Sequence, residues 1–279
     1  MKKYLKVLAA SIAVIPCALA LTACGGGTGH TLVDTNGSYA QASSYSEVEQ
    51  YVADNAITTE LDSYKMLMDM DATMSIAQLG TFDLTSKTES IIQYDNETLN
   101  MYLKQTSTAD GEEVSFETYV KNNYLYDSNG LGGWTDGYLM ESYEIEEYVL
   151  GELSLENVFA SLSSTDLAGL TVQADISENT TKFKITLDGD LLNSYILQSG
   201  AMSGDEMQTF IGTTIDYNKA TMYYVFENNE FSGATMDISF SADIKDEETS
   251  ATIMSMTCDL TIEFARYTGS IDFPADLDA

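Results

Sequence analysis

The sequence predicts a mainly β (α+β) fold: an antiparallel sheet with one dry face, on which a smaller helical part packs. Three observations predict it. From Ala234 to Phe264, Met236, Ile238, Phe240, Ala242 and Ile244 alternate with polar residues; after a polar turn, Met254, Met256, Cys258, Leu260, Ile262 and Phe264 do the same. Successive strand side chains point to opposite faces, so this is a long hairpin with one buried and one wet face. Similar alternating segments recur at short spacing, separated by turn residues. Three further segments, near 44–57, 154–163 and 190–211, carry single apolar stripes at helical spacing, which the one dry face would receive.

At the N-terminus, Lys2, Lys3 and Lys6 precede a short apolar run, Val7 to Leu21, that is too short to span a bilayer and has signal-peptide flanks. It ends in Leu21-Thr22-Ala23-Cys24, which resembles the lipobox of bacterial lipoproteins. That resemblance implies that residues 1–23 are a signal peptide and that Cys24 is acylated as the mature N-terminus. Loss of those three lysines would leave 9 basic against 44 acidic residues, a net charge of −35. Such a field repels nucleic acid and anionic headgroups, so nucleic-acid binding is excluded and membrane attachment falls to acyl chains. Cys17 leaves with the signal and Cys24 is taken by lipid, so Cys258 has no second cysteine for a disulfide.

Residues 24–43 are rich in Gly, Ser, Thr and Asn and read as a flexible tether. Ser44-Tyr-Ser-Glu47 looks like a capping box opening the first helix. Strands are predicted over 61–76, with a methionine stripe, and over 80–94, 97–108, 112–121 and 123–128. A helical insertion follows near 141–164, then strands at 170–176 and 181–187, a helical patch, and strands again from 214 to 267. No linker interrupts the chain after residue 44, so 44–279 reads as a single domain.

The chemistry of most enzyme classes is missing. His30 is the sole histidine and lies in the tether, so the folded domain can build no His-based nucleophilic site. No dinucleotide, P-loop or HExxH signature occurs, and Asp127-Ser-Asn-Gly130 fails the EF-hand pattern at Leu131. Glu146-Glu147 and Asp246-Glu-Glu248 read as solvated acidic pairs. The expectation is a non-enzyme with no cofactor and no metal.

Methionine is the informative residue. Met66, Met68, Met70, Met74, Met236, Met254 and Met256 all take the apolar parity of their strands. Methionine adapts to irregular surfaces and varied apolar ligands. Together with Ile238, Phe240, Leu260 and Phe264, these side chains line either a cavity or a filled core, and the sequence leaves both readings open.

The lipobox, the glycine tether, the Leu61-Asp-Ser-Tyr-Lys-Met66 start of a strand, Phe226-Glu-Asn-Asn-Glu-Phe231 and the terminal Ile271-Asp-Phe-Pro274 resemble the LolA/LppX-type lipoproteins. They are most similar to an uncharacterised branch common in Gram-positive gut bacteria. The resemblance implies a strongly curved antiparallel sheet, a half-open barrel, with helices on its concave face. It implies a monomer anchored at the outer face of the cytoplasmic membrane and holding a lipid or hydrophobic small molecule. The alternative is a structural or sensory ectodomain with a filled core. An importer's substrate-binding protein is disfavoured, because the chain lacks the alternating βαβ pattern.

Overall fold

The computed structural model describes residues 31–39, 41–43, 63–77, 79–95, 98–109, 111–128, 133–141, 170–189, 213–245, 249 and 251–277. Its strands are β1 (Gln41–Ser43), β2 (Ser63–Ile76), β3 (Gly80–Asp95), β4 (Thr98–Ala109), β5 (Glu112–Lys121) and β6 (Tyr124–Asp127). They continue with β7 (Tyr138–Leu139), β8 (Leu170–Ile176), β9 (Thr180–Asp188), β10 (Thr213–Glu227), β11 (Glu230–Lys245) and β12 (Thr252–Arg266). All twelve form one antiparallel sheet in the order β1-β8-β9-β10-β11-β12-β2-β3-β4-β5-β6-β7. The sheet is open, with β1 and β7 as its edges. The helices predicted near 44–57, 154–163 and 190–211 lie outside the described residues, as do Cys24 and all but Glu141 of the predicted insertion.

The hairpin with the clearest alternation, β11–β12, lies mid-sheet. There β12 bridges the two halves by pairing with β2, Leu260 opposite Met70 and Ile262 opposite Met68. Two hairpins turn through consecutive asparagines in the left-handed region, Asn122 (φ 50°) with Asn123 (φ 69°) and Asn228 (φ 52°) with Asn229 (φ 66°). Two-residue loops of the I′ kind require positive φ at both positions, and asparagine tolerates it. The Asn-Asn pair inside Phe226–Phe231 therefore serves the β10–β11 turn.

One face of the sheet carries the main core, from Val172 and Ile185 through Met222, Ile238 and Leu260 to Met70 and Leu84. The opposite face departs from the expectation of a uniformly wet surface. Ile91, Tyr119, Tyr126, Ile271 and Leu277 form a separate buried cluster there, with Tyr102, Trp134, Tyr267 and Phe273 packed against it. The Tyr119 ring meets Trp134 edge-on at 5.2 Å and Phe273 at 6.0 Å. The chain after β12 thus folds back over β3–β6, and Gln93 Nε2 donates to the Gly269 carbonyl at 3.0 Å.

Residues 31–39, expected as part of a flexible tether, form a strap across this same opposite face before β1 joins the edge of the sheet beside β8. The reason is chemical. Extended polar backbone offers N–H groups, and the sheet supplies carboxylates to receive them.

Candidate functional site

All eleven residues predicted to line an apolar cavity share one face. Met66, Met68, Met70 and Met74 stand opposite Phe264, Ile262, Leu260 and Met256 across β2–β12, and Met254 stands opposite Ile76. Met236, Ile238 and Phe240 stand opposite Ile262, Leu260 and Cys258 across β11–β12. Of the eleven, Met66, Met68, Met70, Met74, Ile238, Phe240 and Leu260 are buried, and Met236, Met254, Met256 and Phe264 are half-buried. Cys258 is a buried thiol in the same cluster, as strand parity requires.

Sequence reading missed what happens on this face beyond β2. Ser90, Thr88 and Ser86 of β3 pair with Met66, Met68 and Met70 and are themselves buried. Next come Leu103, Gln105 and Ser107 on β4, then Thr118, Phe116 and Val114 on β5. Ser86 and Ser107 hydroxyls lie 3.1 Å apart, and Gln105 Nε2 donates to Ser86 Oγ at 3.2 Å. Beyond this uncharged polar patch, Phe116 and Val114 are 42% and 64% exposed. A signal existed in Ser86-Lys-Thr-Glu-Ser90, but both parities there are polar, so nothing marked which set lies inside.

The strand lysines segregate to one face. By register Lys65, Lys87, Lys104, Lys182 and Lys184 all take the parity opposite to the methionines. Arg266, at the end of β12, donates to Glu230 Oε2 at 2.7 Å.

On the other face the strap is fixed at three points. Glu263, 4% exposed, accepts at Oε2 from the backbone N–H groups of Thr31 (2.8 Å), Leu32 (2.8 Å) and Val33 (3.2 Å). Its Oε1 accepts from the N–H and hydroxyl of Thr31 at 2.9 and 3.2 Å. Successive backbone N–H groups converging on one carboxylate form an anion-binding nest. Midway, Lys182 donates to Asp34 Oδ2 at 2.8 Å and to the Asn36 carbonyl at 2.7 Å. At the far end Asp175 accepts from the Ser38 N–H at 2.8 Å, and Gln173 Nε2 donates to the Tyr39 carbonyl at 2.9 Å. Tyr39 meets Tyr223 at 5.9 Å, Lys184 Nζ sits 5.8 and 5.5 Å from the two rings, and burial pushes the Tyr39 hydroxyl above its usual range.

Two glycines allow this close approach. A Cβ on Gly233 would come within 2.7 Å of the Phe264 carbonyl oxygen and 2.9 Å of Val33 Cγ2; one on Gly37 would come within 2.5 Å of Asp175 Oδ2.

The hydrogen bond from Lys182 holds the Asp34 carboxyl below the usual carboxylate range, helped by the Asn36 side chain and N–H. A depressed pKa stabilises the folded state above the ordinary aspartate value of about 3.9 and loses that contribution as pH falls through the folded value. Asp34 is 70% exposed, so solvent screens the effect. Asp34→Asn should therefore melt slightly below wild type at neutral pH. The gap should close below about pH 4, as thermal melts across the acid range would show.

No curated protein matches the chain. Among solved structures, a LolA superfamily protein from Nitrosomonas europaea aligns at 9% identity and TM-score 0.22, covering 82% of this chain and 96% of that one. Lipovitellin aligns at 12% identity and TM-score 0.28, covering 77% of this chain and 26% of that one. A putative AttH from Nitrosomonas europaea aligns at 6% identity and TM-score 0.21, covering 86% and 59%. TM-scores this low do not establish a shared fold. The family model that matches, over residues 47–276, is described as a family of unknown function, and the chain belongs to that family, DUF6612.

Proposed function

We propose that the protein is a membrane-anchored extracytoplasmic lipoprotein that holds a neutral lipid or other apolar molecule against its methionine-rich sheet face. The helices predicted near 44–57, 154–163 and 190–211 would cover that face, as the resemblance to LolA/LppX-type lipoproteins implies. The sheet would then curve as a half-open barrel within one domain over residues 44–279. The observation that carries the reading is the composition of the face. Flexible thioethers run beside a patch of hydroxyl and amide groups, while the lysines named above lie behind the sheet. Among the described residues, Arg266 shares the methionine parity but is paired with Glu230 at the strand end, so a buried carboxylate or phosphate would meet no free cation beside the methionines. Burying an unpaired charge is costly, and the head group of the ligand is uncharged. No catalytic role is assigned, and the protein acts as a monomer at the outer face of the cytoplasmic membrane.

A second reading, a structural or sensory ectodomain, draws on the low exposure of Met66, Met68, Met70 and Met74, 3–8%, the first three of them within one packed cluster. Native mass spectrometry of protein purified from membranes separates the two. Co-purified neutral lipid, retained until organic extraction, supports the ligand reading; acylated protein with no further mass leaves the structural one. Cys24→Ala should accumulate as unprocessed precursor or leave the membrane fraction. Membrane-held, correctly cleaved Cys24→Ala protein would end the anchor assignment.

A further inference from the structure

We propose that the docked strap determines which end of the sheet faces the membrane: the end bearing the β8–β9 and β10–β11 turns lies next to the bilayer, and the β2–β3 turn points away. This rests on the acyl anchor at Cys24. Thr31 is the first described residue of the strap and is held by Glu263, seven residues along the chain from Cys24. Seven residues of extended chain span at most ~25 Å. Glu263 stands opposite Leu67, and the β2–β3 turn begins after Ile76, nine residues further along the same strand. At a rise of about 3.3 Å per residue that turn lies ~30 Å beyond the strap. With the β2–β3 turn against the bilayer, Thr31 would stand further from the surface than its tether reaches.

A flat pose is opposed by charge. A mature chain with 9 basic and 44 acidic residues is repelled when a broad face is laid on anionic headgroups. The end-on pose keeps most of that surface away. Without the docked strap, the first residue held by the sheet would be Gln41 in β1, 17 residues from Cys24. A reach of up to roughly 60 Å would then permit either orientation. Docking thus turns a permissive tether into an orienting one.

The test uses the full acylated chain in vesicles containing headgroup-labelled acceptor lipid. A donor dye is placed at Glu178→Cys, exposed in the β8–β9 turn, or at Ala251→Cys, exposed at the opposite end; native Cys258 is buried and does not compete. Energy transfer from position 178 should exceed that from position 251 severalfold. Inserting roughly 20 Gly/Ser residues after Gly29, which leaves the strap intact, should bring the two values together. Equal transfer in the chain without the insertion, or greater transfer from 251, overturns the orientation while leaving the anchor standing. Purified chain that fails to float with vesicles overturns the anchor, and the orientation with it.

Discussion

Glu263→Gln is expected to release the strap while leaving the sheet folded. The substitution conserves shape but replaces one carboxylate oxygen by an N–H₂ group, in a site where the backbone N–H groups of Thr31, Leu32 and Val33 converge. An acceptor becomes a donor facing donors, and the charge that strengthened each bond is gone. Hydrogen bonds to charged groups contribute roughly 1.5–3 kcal/mol, so docking should weaken by about that amount. The loss is capped by detachment, because the freed N–H groups then reach water. Amide exchange read at Thr31–Val33 should accelerate, with the sheet amides unaffected. Lys182→Met frees the middle of the same strap by removing the ammonium that donates to Asp34 Oδ2 and to the Asn36 carbonyl. The double variant should cost less than the sum of the two, because a strap already released has little left to lose. Unchanged protection of Thr31–Val33 in Glu263→Gln would show that the nest does not hold the segment.

The strap also marks where sequence reading stops. Strand positions were legible because period-two alternation is local: segments predicted at 80–94, 112–121 and 170–176 appear as Gly80–Asp95, Glu112–Lys121 and Leu170–Ile176. The shared face of the methionines followed from the same parity. Nothing local marks Thr31–Tyr39 as structured, since its partners Glu263, Lys182 and Asp175 lie 232, 148 and 137 residues away. In the strand pattern those three read as ordinary wet-face residues, and their burial depends on what crosses above them. The second aromatic cluster was hidden for a like reason. Tyr102 and Tyr119 alternate with residues of mixed polarity, and the Phe273 that packs on Tyr119 comes from the C-terminal end of the chain. Phe116 and Val114 invert the pattern. Their parity puts them on the apolar face, yet they stay exposed because their β4 neighbours are Gln105 and Ser107.

Leu260→Ala is expected to be the most destabilising of these substitutions, and it bears directly on what the apolar face does. Leu260 is 1% exposed and lies mid-sheet, with Ile238 (2%) opposite on β11 and Met70 (4%) opposite on β2. Cys258 and Ile262 flank it on the same face of β12 and are also buried. Truncating a leucine in such surroundings removes transfer free energy and leaves a cavity, at a cost of about 3–5 kcal/mol. For a domain of this size the melting temperature should fall by roughly 10 °C. Phe116→Ala, at the exposed rim of the same face, should change stability by less than about 0.5 kcal/mol. If the face holds a neutral lipid that enters past this rim, Phe116→Ala should nonetheless weaken binding of a fluorescent long-chain alcohol. The two variants therefore separate the filled interior from the ligand surface. A loss below about 1 kcal/mol for Leu260→Ala would mean that its neighbours do not close around it, and that the open part of the face extends to mid-sheet.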